Sequence, residues 1–313
     1  MRGLYLDRGA LSFREDLDEP QLGPGEVLVE VLQAGVCATD LALQRGYMDF
    51  TGIPGHEFVG RALSGPLAGK RVVGDINAAC GACATCVSGD PHHCPHRTVL
   101  GILGRGGAFA ERLALPQCNL LPVPDSVSTD AATFVEPLAA ALEIGEQVAL
   151  RAGERALVAG DGRLGILCAW ALHLDGVVVT VAGRHAERRD LLPAGVELVV
   201  GVPDCVARPF DLAVEATGDP SVLGQILPLV RPRGRVVLKT TAEVEATLDL
   251  SRVVVDELVL VGSRCGPTAK AVEVLAAGAV PVERLIAARF GLASGVDAFA
   301  AARGALKVLV SVP

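Results

Sequence analysis

From Arg155 onward the chain keeps a rhythm that few architectures can satisfy. Six short runs rich in β-branched residues follow one another: RALVAG, VVVTVAG, VELVVG, DLAVEAT, RVVLKT and LVLVGS. Most are separated by helical stretches such as LGILCAWALHL and PSVLGQILPLV. Apolar strands alternating with helices predict a parallel sheet covered on both faces, a doubly wound α/β domain of the Rossmann type. Directly after the first run stands Gly160-Asp161-Gly162-Arg163-Leu164-Gly165, opening an apolar helix. G-x-G-x-x-G alone carries little, but between a strand and a helix it reads as a dinucleotide-binding loop. Its glycines permit a tight turn and a close backbone approach, so that a pyrophosphate meets the N–H groups of the helix start.

The acidic residue expected about 20 positions further on, where it would bind a ribose hydroxyl, is missing. The second strand ends instead in Ala182-Gly183-Arg184-His185, with Arg188 and Arg189 beyond. Losing a carboxylate and gaining a guanidinium favours a ribose 2′-phosphate, so the expected cofactor is NADP in preference to NAD. A solvated helix start with surface arginines would give the same letters.

The first third reads as all-β, with short apolar runs such as GEVLVEVLQAG, FVGRAL, KRVVG and AFAERLAL between Gly and Pro turns. Inside it, Cys80, Cys83, Cys86 and Cys94 fall within fifteen residues as C-x2-C-x2-C-x7-C. Four soft ligands with no open position describe a closed, structural zinc site. Neither common ferredoxin spacing matches an iron–sulfur cluster, and His92, His93 or His96 could replace one sulfur. The last fifty residues, with a helical AKAVEVLAAGA and a terminal strand LKVLVSV, are too few for a domain and are expected to fold back onto the first region.

With 313 residues, half of them hydrophobic, the chain can build two ordinary cores. A net charge of −8 without a basic patch argues against nucleic acid as a partner. No apolar run reaches the ~18 residues of a membrane span, and the charged start does not resemble a secretory leader. A thiolate metal site and nine cysteines, an odd number, point to a reducing, cytoplasmic setting. Cys118, Cys168 and Cys205 read as core or surface thiols.

Taken together, GVCATD, GHE, the four-cysteine lobe, VEPL, GDGRLG and VGSRCGP resemble the zinc-dependent medium-chain dehydrogenase/reductase family. The likeness is to its polyol, threonine and glucose dehydrogenase branch, over nearly the whole length. The resemblance implies a β-rich, chaperonin-10-like catalytic domain over 1–137 and 266–313, with the zinc lobe at 77–97, and a Rossmann domain over 138–265. It implies a second, catalytic zinc on Cys37, His56 and Glu57, with Glu136 of VEPL as the other candidate carboxylate. Cys37, His56 and the two glutamates also read by themselves as a mixed S/N/O site with room for water or substrate. Thr39, two residues past Cys37, would share its side of an extended segment and relay the alcohol proton. Asp40 would fix the tautomer of His56. The family pattern places Arg264 by the nicotinamide and Lys307 by the pyrophosphate; Arg163, Leu164, Gly183, Arg184, His185 and Thr217 join the loop glycines as expected cofactor contacts. Tyr47 and Phe50, between Asp40 and His56, are expected to line part of the substrate pocket. The implied activity is hydride transfer between a polyol or secondary alcohol and NAD(P), in a homodimer or homotetramer. The competing readings are a zinc-independent, quinone-type reductase of the same fold and a non-catalytic binding module.

Overall fold

The structure, a computed structural model, describes residues 1–204, 207–241 and 247–313; Cys205 lies outside the described residues. Chain contacts divide it into two units, Met1–Glu136 with Thr268–Pro313, and Pro137–Pro267.

The first unit is organised by one long strand, Glu26–Gly35, whose residues alternate between half-buried and buried as the sequence alternation requires. Glu57–Ala62 and Arg112–Pro116 pair with it antiparallel. Arg71–Gly74 and Leu120–Pro122 extend the sheet beyond Glu57–Ala62. The C-terminal strand Lys307–Ser311 also lies antiparallel to Glu26–Gly35, and Ile286–Gly291 runs parallel beyond it. The last residues therefore complete the sheet begun by the first. Gly35, at the end of the long strand, stands opposite Glu57 on one side and opposite Leu309 on the other. Helix Ala38–Gln44 starts three residues beyond Gly35.

The second unit is a six-stranded, wholly parallel sheet of Arg155–Ala159, Val178–Gly183, Glu197–Val200, Phe210–Glu215, Val230–Leu238 and Val259–Gly262. Numbered along the chain, these strands lie in the order 3-2-1-4-5-6. Such a sheet binds ligands where the order reverses, outside the carboxyl ends of the first and fourth strands. Leu157, Ala213, Ile226 and Val236 are fully buried members of one core cluster. Each large apolar side chain removed from water there contributes about 1.5–3 kcal/mol.

The connections are leaner than the apolar pattern suggests. Arg163–Leu174 forms the expected helix. The stretch from Pro220 instead breaks into a 3-10 turn, the short helix Leu223–Ile226 and a second 3-10 turn, Leu227–Leu229. Pro228 lacks an amide hydrogen and cannot continue the ladder. A 3-10 segment, Ala186–Leu191, stands after the second strand.

Candidate functional site

Cys37 ends the run from the long strand and caps helix Ala38–Gln44. Its backbone N–H donates to Asp40 Oδ2 at 2.8 Å, one half of a capping box. Thr39 is therefore in the first helical turn, which corrects the expectation of an extended segment: the reach of Asp40 back to Cys37 starts the helix there. The hydroxyl nevertheless stays near the sulfur, with Thr39 Oγ1 3.8 Å from Cys37 Sγ.

Pairing of Glu57 with Gly35 brings His56 and Glu57 beside Cys37. Donor atoms of Cys37, His56 and Glu57 all lie within 4.8 Å of one another. His56 is 3% exposed; Glu57 and Asp40 are wholly buried. Asp40 Oδ1 faces His56 Nδ1 at 3.4 Å, leaving Nε2 for a ligand on the other side of the ring. Burial pushes the imidazole pKa down, but the charges of Asp40 and Cys37 outweigh it and raise it well above the usual value. Glu57 Oε1 is buried without a hydrogen-bond partner. Buried polar atoms are rarely left so, and a soft sulfur, an imidazole and a carboxylate in one pocket fit a metal of the zinc kind. Glu136, half-buried at the start of helix Val135–Gln147, is outside this close group.

Lys307 lies beside this group. It is 0% exposed, with its ammonium against Glu57 and 5.3 Å from the centre of the Phe134 ring. Phe50 lines a cavity of about 380 Å³ together with Met48, Ile53 and Leu103, whereas Tyr47 does not.

The four-cysteine lobe hangs between two short paired strands, Asn77–Ala78 and Thr98–Leu100. Its sulfurs are separated by 3.5 Å (Cys83–Cys86, Cys80–Cys94), 3.7 Å (Cys83–Cys94) and 3.9 Å (Cys80–Cys86). A tetrahedron with Zn–S bonds of about 2.3 Å has edges of about 3.8 Å. Backbone N–H groups of Ala82 and Cys83 bring the Cys80 thiol down to about 6, while burial and the neighbouring sulfurs push Cys86 up to about 12. Sulfurs this close cannot all ionise until a cation joins them. His92 is directed elsewhere, with Nε2 2.5 Å from Asp75 Oδ2, tying the lobe to the body of the unit.

In the second unit, Gly160 takes φ +113° and packs against the end of the fourth strand, where a Cβ would come 2.6 Å from Ala216 O. Gly165 leaves no room for a Cβ against Gly160 O. Gly162 caps the helix, and Arg163 and Leu164 occupy its first turn. Thr217 stands across the switch point, its hydroxyl donating to Glu215 Oε1 at 2.6 Å. Arg184 is exposed at the end of the second strand, and His185 is half-buried beside it. Arg264 follows the sixth strand, and its carbonyl lies 3.4 Å from the buried ammonium of Lys239. Lys239 itself was not foreseen; only its burial in an otherwise apolar strand end marks it.

Known proteins share this fold. Residues 23–125 match the family model described as Alcohol dehydrogenase GroES-like domain. L-threonine 3-dehydrogenase of Streptomyces avermitilis is 31% identical, with 91% of each chain covered. Among solved structures, an alcohol dehydrogenase of Escherichia coli complexed with NADH superposes with a TM-score of 0.90 at 25% identity, covering 99% of both chains. A zinc-binding dehydrogenase of Sinorhizobium meliloti bound to NADP gives 0.88 at 28%, covering 99% of this chain and 98% of the other.

Proposed function

Because this chain belongs to the medium-chain alcohol dehydrogenase superfamily, and is an NAD(P)-dependent alcohol oxidoreductase, we propose that its residues oxidise a secondary alcohol or polyol at the Cys37–His56 centre. The carrying observation is the donor set of half-buried Cys37 and buried His56 and Glu57, with Thr39 and Asp40 around it. When bound, zinc lends Lewis acidity to the alcohol oxygen and the nicotinamide accepts the hydride. Cys37 and His56 hold the metal, Glu57 or Glu136 supplies the carboxylate, and Asp40 fixes the imidazole with Nε2 toward the centre. Thr39, half-buried at 3.8 Å from the sulfur, takes the hydroxyl proton and passes it outward. The reverse reduction uses the same groups.

Cys80, Cys83, Cys86 and Cys94 hold a second zinc that fastens the lobe and takes no part in the reaction. The glycine loop, Thr217 and Arg264 bind the dinucleotide, and exposed Arg184 favours NADP by pairing with the 2′-phosphate. The thiolate-rich metal sites suit the reducing cytoplasm. Among the described residues no helix is long and apolar enough to cross a membrane. The active form is a homodimer or homotetramer.

Nicotinamide absorbance, followed with the zinc-loaded protein against a panel of secondary alcohols and polyols, tests the reading. L-threonine belongs in the panel, since the Streptomyces avermitilis relative is named for it and its hydroxyl is a secondary alcohol. Turnover of at least one panel member, faster with NADP, is expected. No turnover with either cofactor, by protein that holds metal and dinucleotide, would leave the binding-module reading in its place.

A further inference from the structure

Position 161 lies between the first two glycines of the loop, where the dinucleotide fingerprint asks for no particular side chain. Here it is an aspartate turned inward, with only 7% of its side chain exposed. Its Oδ2 accepts the backbone N–H groups of Arg184 at 2.9 Å and His185 at 2.7 Å. The His185 ring lies on the same carboxylate, Nδ1 being 3.0 Å from Oδ2 and 3.2 Å from Oδ1. Arg188 Nη1 donates to the Asp161 carbonyl at 2.9 Å and stands 3.5 Å from Oδ1. Burial pushes the Asp161 carboxyl up. The N–H groups of His185 and Arg184, then the imidazole and Arg188, outweigh that and hold it below the usual carboxylate range. The carboxylate is thus an anion whose oxygens are taken by donors from one segment, residues 184–188.

A second observation comes from Gly183. A Cβ at that position would lie 2.6 Å from the Cβ, Cγ and Oδ2 of Asp161. Real Cβ atoms do not approach so closely, so the aspartate fills the space in which a side chain at the strand end would begin. An aspartate at 161 and anything larger than glycine at 183 exclude each other.

We infer that Asp161 is a positioning residue for cofactor choice: it bars an acidic side chain from the end of the second strand and gathers Arg188 and His185 beside exposed Arg184 as a cradle for the 2′-phosphate. One carboxylate is set against two guanidinium groups and an imidazole, which leaves the cradle net positive toward a dianion. The diol that NAD presents finds the carboxylate oxygens already taken. This rests on the dehydrogenase reading above and adds the residue that organises the selection.

The test is binding of NADPH and NADH to the full-length protein, followed by nicotinamide fluorescence without any alcohol. Wild type is expected to bind NADPH about tenfold or more tightly than NADH, as one charge-assisted contact allows. Asp161→Asn, which keeps an acceptor but loses the charge that gathers Arg188 and His185, should cut that ratio by about tenfold. Gly183→Asp alone should weaken both dinucleotides, and adding Asp161→Ala should restore binding with the preference turned to NADH. A purely structural role would move both cofactors equally in Asp161→Asn and would not produce the restored, inverted preference of the double variant. Tighter NADPH binding by Asp161→Asn, an unchanged ratio, or a Gly183→Asp defect indifferent to residue 161 overturns the inference alone. A wild type that binds neither dinucleotide overturns the dehydrogenase reading instead.

Discussion

Thr39 carries the proposal's most exposed commitment, because a single hydroxyl 3.8 Å from the Cys37 sulfur is assigned the proton transfer. Thr39→Val keeps the shape of the side chain and removes only the hydroxyl. Metal content and dinucleotide affinity should hold while kcat falls by about 10²–10⁴-fold, the range for a positioned proton-transfer group. A variant with the wild-type kcat would move the relay to another residue. How far such roles could be read from the letters differs residue by residue. The grouping of Cys37 with His56 was legible because their chemistry is rare and their motifs short. The helical setting of Thr39 was not, since it depends on Asp40 reaching back to one backbone N–H. The pairing of Lys307 with Glu57 was not legible either: it is chosen by the register of two strands against Gly35, and register is a property of the assembled sheet.

At the scale of elements, the cysteine lobe is the most self-contained piece, with all four sulfurs and both closing strands within a short span of chain. That locality made it readable directly from spacing. Its predicted dependence on metal is equally local. Elemental analysis should find two zinc ions per chain in the wild type and one after Cys80→Ser, with proteolysis beginning in the lobe. A single ion in both proteins would remove the lobe assignment. The parallel strands were legible for a different reason: burial on both faces demands unbroken apolar runs, which stand out in any sequence. The helices between them were less so. Pro228 shows why, because its missing amide stops the short helix Leu223–Ile226 inside an apolar stretch of helical appearance. The Asp161–Gly183 exclusion was invisible at this scale too, since it arises only where two neighbouring strand ends meet side by side.

The whole molecule divides its labour between a first unit that holds the metal-ligand set and Thr39, and a second whose strand order and glycine loop suit a dinucleotide. Fold and family agree on this scheme. The central claim, that alcohol oxidation runs at the Cys37–His56 centre, is best tested with one alcohol that the wild type turns over. The measurement is the rate of nicotinamide reduction by Cys37→Ser beside the wild type, with dinucleotide binding checked in both. The account predicts that Cys37→Ser binds the dinucleotide like the wild type, loses one of two zinc ions and reduces no nicotinamide above background. Wild-type turnover by Cys37→Ser, with that zinc gone, would contradict it.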